Sequence, residues 1–400
     1  MSPRKLMILE SSAKIGGVQQ NTQYLAAHVN RAIWEPVIAC PAEGDLPRKC
    51  RDAGLTVRIL PHPPLLSTSF WVGNRMKLPN PLAWLWNVVA ILLAASATAR
   101  FLREERPALV MTKGLLCHFY GGLAAKRAGI PCVWYLEDFI SERFGGIYRS
   151  VFGVLARRLP THIVVIGFPI LGQLPLSVQQ RTTIVNNAVD TTVFSPGRSG
   201  GAIRREFSIA HDAVLIGNVS RLTPWKGQYQ ILEAFSSLAR RNSAVHLLFA
   251  GGPLFGEEAY QVRLHARVAE LGLAKRITFA GHRDDVPALL AAMDIFAFGA
   301  VEKDVWPLSL LQAMSSGLAI VAFDLPGVRE PLGPGEPADW LVPVSDVAGY
   351  AHMLGKLAKD RAVREHLGRV IRERAELVCS LERNMARVEG VFQIAMEAAA

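Results

Sequence analysis

A chain of 400 residues is too long for one hydrophobic core, so two domains are expected, and a composition half hydrophobic and one-fifth charged excludes a disordered protein. The five cysteines stand apart with no CxxC or Cys/His cluster, which argues against a structural zinc site and for a reducing compartment. The net charge of +10 arises wholly before residue 196: residues 1–195 carry 21 Lys and Arg against 11 Asp and Glu, residues 196–400 carry 23 of each. Such a half either meets something anionic, a phospholipid surface, a lipid phosphate or nucleic acid, or is simply a soluble basic surface.

The opening MSPRKLMILESS passes from basic residues into a short strand with no long apolar run, so no secretory signal and a cytoplasmic location are expected. LMILES (6–11), PVIAC (36–40), TVRIL (56–60), ALVMT (108–112), CVWYL (132–136) and HIVVIG (162–167) read as strands, with helical patterns between most of them, as at 21–31 and 119–128. A loop, PHPPLLSTSFWVGNRMK (61–77), carries Phe70 and Trp71. From Leu78 to Ala99 there are 22 uncharged residues. Their apolar heart, 82–95, is interrupted by Asn87 and preceded by two prolines, which fits a buried or interfacial helix better than a spanning one, with Trp84 or Trp86 near an interface.

Residues 195–212, SPGRSGGAIRREFSIAHD, are polar and without apolar period and read as a connection between domains. The alternation then resumes with AVLIGNV (213–219), HLLFAGG (246–252), RITFAG (276–281), IFAFGA (295–300) and AIVAF (319–323), before a charged helical C-terminal stretch. Strands alternating with helices predict an α/β chain of two doubly wound domains, 1–195 and 196–380, with a final helix over 381–400. A GxGxxG after the first strand and a Walker loop are both missing, which counts against a nicotinamide dehydrogenase and a P-loop enzyme. No basic stripe interleaved with aromatics supports nucleic-acid binding. Parallel sheets place a ligand at the carboxyl ends of their strands, here in a crevice between the domains.

Two stretches carry chemistry. In GNVSRLTPWKG (217–227) a strand ends and a loop offers Arg221 and Lys226 before Gly227 opens a helix, an arrangement suited to a diphosphate or else a pair of solvated cations. In DVWPLSLLQAM (304–314), Pro307 suits the first position of a helix that Gly317 ends, leaving the N–H groups of Leu308 and Ser309 for an anion. Gln312 falls on the same face one turn deeper, placed for a ribose, with Asp304 outside for sugar hydroxyls. The alternative is an ordinary helix start with Gln312 satisfied in the core.

The order of these stretches resembles the family-four retaining glycosyltransferases of the GT-B fold. The resemblance runs through KIGGVQQNTQYLA (14–26), GIPCVWYLED (129–138), IVNNAVDTTVFSPG (184–197), SRLTPWKG (220–227), LLFAGGP (247–253), ITFAGHRDDVPALLAAMDIF (277–296), QAMSSGLAIVA (312–322) and PGVREPL (326–332). It implies two Rossmann-like domains facing across a deep cleft, with the final helix crossing back to the first, acceptor-binding domain. It implies retaining, metal-independent transfer from a nucleoside-diphosphate sugar as co-substrate, with no cofactor; the basic N-terminal half, the 61–77 loop and the apolar helix after it favour a lipid-linked or saccharide acceptor at the cytoplasmic membrane face. The basic N-terminal half would make the membrane contact, and the activity belongs to polysaccharide biosynthesis.

By the same resemblance, Gly17, Arg221, Lys226, Asp304, Leu308, Ser309, Gln312 and Glu330 fall on the donor side, and Gly16, His118 and Asp138 on the acceptor side. Arg221 and Lys226 would stabilise the leaving diphosphate where other enzymes use a metal. The family's pair of glutamates with seven residues between them is here Asp304 and Gln312, with Glu302 a nearby substitute, and Pro307 and Pro326 stand where glycines are usual. A histidine often ends the YLED strand; here Glu137 takes its place, as a base for the acceptor or a partner for oxocarbenium charge. These departures also admit a catalytically impaired homologue that binds nucleotide sugars as a scaffold. A nucleotide-sugar epimerase would need an acid/base pair for a sugar C–H, and none is evident.

Overall fold

The computed structural model describes residues 2–72, 76–141, 146–254 and 256–399. It divides into two compact units, one of residues 1–185 with 385–400 and one of residues 186–384.

In the first unit, β1 (Arg4–Glu10), β2 (Trp34–Cys40), β3 (Thr56–Ile59), β6 (Leu109–Lys113), β7 (Cys132–Leu136), β8 (His162–Val165) and β9 (Thr182–Ile184) form one sheet in the order β3-β2-β1-β6-β7-β8-β9. Every pairing in it is parallel. A parallel sheet is covered on both faces, which is why β6 and β7 are buried at every position and read as unbroken apolar runs. The chain turns outward in both directions from β1, so the β1/β6 junction is the topological switch point. Glu10 and Lys113, the last residues of those strands, sit opposite each other in register.

The 61–77 segment expected as a loop contains an antiparallel pair, β4 (Ser69–Val72) with β5 (Met76–Pro79), and residues 73–75 lie outside the described residues. The helix Pro81–Glu105 is long and apolar enough by length and composition to cross a membrane, yet only a third of its most apolar window is buried. Its buried side is mainly alanine (Ala83, Ala90, Ala94, Ala95, Ala99), packed toward the helix Leu115–Ala128, while Leu82, Leu85, Val88 and Leu93 point to solvent. Of the buried and interfacial readings of this segment, the buried one does not hold for its large apolar side chains, which point outward. Asn87, which breaks the apolar run, pairs with both backbone groups of Leu66, accepting at 2.8 Å and donating at 2.9 Å. The indoles of Trp84 and Trp86 donate to the carbonyls of Thr68 and Pro64. These side chains fasten the 64–68 segment along the helix.

In the second unit, β10 (Val214–Val219), β11 (Val245–Ala250), β12 (Ile277–Gly281), β13 (Ile295–Phe298), β14 (Ala319–Phe323) and β15 (Leu341–Val342) run β12-β11-β10-β13-β14-β15, again parallel throughout. Its switch point is the β10/β13 junction. The expected linker at 195–212 is packed structure: it contains the helix Gly201–Glu206, and Arg204 pairs with Asp294 at 2.7 Å. Residues 186–195 likewise belong to this unit. The closing helix, Leu381–Glu397, contributes its residues from Met385 onward to the first unit, where Phe392 meets Trp34 edge-on at 5.3 Å and Glu389 accepts from the Asn30 N–H at 2.7 Å.

Gly227 joins the turn Pro224–Lys226 to the helix Gln228–Ala239 at φ 68°, and a methyl group there would lie 1.7 Å from the Gly299 carbonyl oxygen. Gly17, in contrast, has ordinary backbone geometry and no atom within 4 Å of where a methyl would stand. Gly227→Ala is therefore expected to lose about 3 kcal/mol or more in urea unfolding, and Gly17→Ala to stay within about 0.5 kcal/mol of the parent.

Candidate active site

The two switch points gather the chemistry, one in each unit. In the second unit, the loop after β10 is clamped from within. Asn218 donates to the Ala297 carbonyl at 2.8 Å, Ser220 donates to Asn218 at 2.7 Å, and Gln228 donates to both Ser220 Oγ and the Arg221 carbonyl at 2.8 Å. That fixes the backbone carrying Arg221 and Lys226. Arg221 lies over the Trp225 ring at 5.6 Å and Lys226 over the same ring at 4.4 Å. A flat aromatic face beside two cations holds them near one another while adding cation–π attraction.

Lys226 Nζ is 2.5 Å from Asp304 Oδ2, both side chains largely buried. Expected as separate contacts for phosphate and sugar, the two residues bind each other, and an anion arriving at Lys226 meets a cation already paired. Asp304 is held in turn. Gly327 packs so tightly beneath it that a methyl there would lie 2.0 Å from the Asp304 carbonyl oxygen. Trp306 takes the left-handed conformation at φ 47°, rare for a bulky side chain, and is fixed by its N–H to the Gly327 carbonyl at 3.0 Å and by Asn187 donating to its own carbonyl at 2.9 Å.

Pro307 is the residue capping the helix Leu308–Ser315, not its first member: its ψ of 127° is extended, and its carbonyl accepts from Leu310 and Leu311. The N–H groups of Leu308 and Ser309 open the helix, as the sequence indicated, without intrahelical acceptors. Gln312 is buried one turn deeper, and among the described residues its side-chain amide has no hydrogen-bond partner, so the satisfied-core alternative does not hold. Glu330 lies half-buried in the helix Pro326–Leu332, whose first residue is Pro326.

In the first unit the turn Gly16–Gly17 opens the helix Gly17–His28. Beneath it lies a buried charge cluster that the sequence reading did not assemble. Lys113 Nζ is 2.8 Å from Glu137 Oε2, and Asn21 donates to Glu137 Oε1 at 2.6 Å. Glu10 accepts from the Thr22 hydroxyl and, at a long 3.4 Å, from the Gln19 amide, whose own oxygen takes the Gly16 N–H at 3.1 Å. Glu10 and Lys113 are fully buried and the Glu137 side chain is 4 % exposed. The available signal was that three apolar runs, LMILE, LVMTK and CVWYLE, each end on a charge, which adjacent parallel strands bring to one level.

Two expectations change here. Glu137, placed as a base for the acceptor or a partner for oxocarbenium charge, has its side chain buried against Lys113 and Asn21, which does not favour the base. His118, placed on the acceptor side, is a core residue: buried, stacked on Trp134 at 5.2 Å and bonded through Nδ1 to Thr112 at 2.7 Å. Burial and then the Lys113 cation push its pKa down to about 3, so the ring stays neutral. Asp138, next to Glu137, is exposed.

Two family models match, Glycosyl transferases group 1 over residues 201–374 and Glycosyl transferase 4-like domain over residues 16–166. The UDP-Gal:alpha-D-GlcNAc-diphosphoundecaprenol alpha-1,3-galactosyltransferase of Escherichia coli is 22% identical over 278 residues, 66% of this chain and 70% of its own. The N-acetyl-alpha-D-glucosaminyl L-malate synthase of Bacillus anthracis is 25% identical over 208 residues, so this chain spans about half of that relative's length. Among solved structures, Anabaena HepE in complex with UDP and glucose superposes with a TM-score of 0.82 at 20% identity, covering 98% of this chain and 99% of that one. WaaG, a glycosyltransferase involved in lipopolysaccharide biosynthesis, gives 0.67 at 15% identity, covering 96% and 100%.

Two parallel sheets of this order, together with the matched domains, define a glycosyltransferase of the GT-B fold. The chain belongs to the family-four glycosyltransferases.

Burial raises the Glu10 carboxyl to about 7, against the opposing pull of Lys113 and Thr22. The folded protein then binds a proton that the unfolded chain releases near pH 4.5, so stability falls as pH rises from about 4.5 through about 7. Glu10→Gln is expected to remove this loss, giving a melting temperature higher than the parent's at pH 8 and little different at pH 5. The gain at pH 8 is at most about 3 kcal/mol. Equal shifts at both pH values would refute the assignment.

Proposed function

We propose that the chain transfers a sugar from a nucleoside-diphosphate sugar to a lipid-linked or saccharide acceptor, with retention at the anomeric carbon, without a bound metal, at the cytoplasmic face of the membrane. The observation that carries this reading is the Lys226–Asp304 contact. It brings the cationic loop after β10 against the segment that heads the helix Leu308–Ser315, so two side-chain cations and the open end of a helix share one switch point.

In that arrangement Arg221 and Lys226 take the charge that develops on the departing diphosphate, the Leu308 and Ser309 N–H groups add fixed dipoles, and Gln312 offers its unpartnered amide to the ribose. Asp304 orients Lys226 and faces the sugar, with Glu330 further along. As the acceptor oxygen bonds the anomeric carbon its proton must leave. With Glu137 sealed, the diphosphate oxygen being released is the base nearest to hand. Gly17, where nothing of the protein fills the space a side chain would take, leaves room for a substrate. Gly16 and Asp138 lie on the acceptor side.

The lipid-linked acceptor and the membrane rest on the outward leucines and valines of the helix Pro81–Glu105 and the basic first half of the chain. The Escherichia coli relative acts, by its name, on a diphosphoundecaprenol acceptor.

The donor is found by calorimetry and product release over UDP-, GDP-, ADP- and TDP-sugars. One donor is expected to be turned over, with Arg221→Ala slower by roughly 100- to 1,000-fold. Tight binding with no turnover, acceptors included, would favour the scaffold reading, and binding of none would overturn the donor site. Separately, sedimentation with vesicles containing anionic lipid is expected to capture the protein, and Leu85→Glu with Leu92→Glu to abolish capture. Capture unchanged by those charges would place any membrane contact elsewhere.

A further inference from the structure

A pocket of about 180 Å³ opens in the first unit past the carboxyl end of β1, and the donor side has no part in it. Its walls include Ser11 just past β1, His62 and Leu65 in the segment after β3, Ala90 and Ala94 on the helix Pro81–Glu105, and Tyr120 on the helix Leu115–Ala128. The space follows from how that long helix is built. It turns alanines inward, and at Ala90 and Ala94 no neighbour takes up the volume a larger side chain would fill. The segment over the pocket is tied at three points: Trp86 to the Pro64 carbonyl, Asn87 to Leu66, and Trp84 to the Thr68 carbonyl. A wall fastened in this way is held in place, so the pocket is preformed.

Its chemistry excludes most ligands. Tyr120 already donates to the Glu10 carbonyl at 3.4 Å, and its ring packs against that of His62 at 4.5 Å. Burial lowers the His62 imidazole below its ordinary 6.5, so the ring is uncharged at neutral pH. The lining holds no lysine or arginine, so an anion finds no cation there. A sugar would lose the water on its hydroxyls without regaining their hydrogen bonds. An apolar chain has no such cost. An engineered apolar cavity of about 150 Å³ takes benzene, so this one suits six or seven carbons.

The two ends of the pocket say which chain. Leu65 lines it and is 43 % exposed, and Leu66 beside it is 49 % exposed. Fastened along the helix by Asn87, these leucines carry the helix's outward apolar face to the pocket's edge. At the other end stands Ser11, packed so closely over the end of β6 that a methyl on Gly114 would lie 2.0 Å from its hydroxyl oxygen. Ser11 begins the loop that leads to the Gly16–Gly17 turn.

We propose that this pocket holds the first carbons of the acceptor's lipid chain, those next to its phosphate, with the headgroup toward the Gly16–Gly17 turn. The inference rests on the lipid-linked reading of the acceptor given above. It makes the first unit a discriminator: each methylene buried is worth about fourfold in affinity, and a free saccharide gains none of it.

One arm of the test needs neither donor nor transfer. Geranyl phosphate is titrated by calorimetry into the intact chain, without detergent or vesicles, beside inorganic phosphate. Geranyl phosphate is expected to bind with a negative heat-capacity change, and inorganic phosphate at least tenfold more weakly. Ala94→Leu fills the space and is expected to weaken geranyl phosphate at least tenfold, the equivalent of about two methylenes displaced. Leu65→Asn makes the rim polar at an exposed position and is expected to weaken it several-fold, so the test stands if Ala94→Leu is too crowded to fold. Undiminished affinity in either variant that folds overturns the proposal. So does a parent that fails to bind geranyl phosphate, or that binds inorganic phosphate as tightly.

The second arm uses transfer. With a geranyl-phosphate-linked sugar as acceptor, Ala94→Leu is expected to raise the acceptor KM at least tenfold with kcat within about twofold of the parent. It is also expected to erase the parent's preference for that acceptor over the same sugar without a chain. A parent with no such preference overturns the proposal. Absence of any transfer in the parent would fail the functional reading and leave the titrations to decide this one.

Discussion

A parallel strand buried on both faces has one place for a charged side chain, its end. That constraint organises both units. In the first, β1, β6 and β7 are adjacent and buried at their carboxyl ends, so Glu10, Lys113 and Glu137 are brought to one level and must satisfy each other, since little water reaches them. The price of leaving one unmatched is several kcal/mol, which is why the first turns of the helix Gly17–His28 supply three polar side chains pointing downward. The glycine turn above them is consequently a dependent of the charge cluster. In the second unit the same constraint puts Asn218 and the Gln228 clamp at the end of β10, and the geometry of Arg221 and Lys226 follows from it.

Most of the sheet was legible because burial on two faces writes an uninterrupted apolar run. All eleven runs read as strands lie in the two sheets, whereas β9, of three residues, and β15, of two, are too short to carry a pattern. The packed segment at 195–212 reads as a linker because much of its anchoring is by side chains, Arg204 reaching carbonyls and Asp294 and Glu206 pairing with Arg283, and such anchors leave no period. The site divides in the same way. Local features were legible: a cationic loop before a helix, and an amide one turn inside another. Partnerships were not. Lys226 finds Asp304 across 78 residues, and Glu137 meets Asn21 across 116. His118 falls on the acceptor side by resemblance, yet its ring is enclosed and stacked on Trp134.

The helix Pro81–Glu105 illustrates what hydropathy leaves out. A sum over a window counts apolar side chains and discards their direction. Here alanines, which allow close approach, face the neighbouring helix, and the leucines and valines face out. Close helix packing and an apolar exterior come from one stripe pattern, and the polar residue that seemed to interrupt it, Asn87, is the one that fastens the 64–68 segment to the helix.

The exchange of charged for neutral at Gln312 makes sense once the Lys226–Asp304 pair is counted. Arg221 and Lys226 bring two positive charges to the second unit's switch point, and Asp304 cancels one of them at contact distance. A neutral amide at position 312 adds no charge to the pair. Shortening the outer acid to aspartate fits the same balance, because the shorter side chain is held against Lys226 by a loop with little freedom. Trp306 is left-handed, and Gly327 leaves no room for the Asp304 backbone to retreat. At this switch point the acid is tied to the lysine, and the amide one turn inside the helix carries no charge.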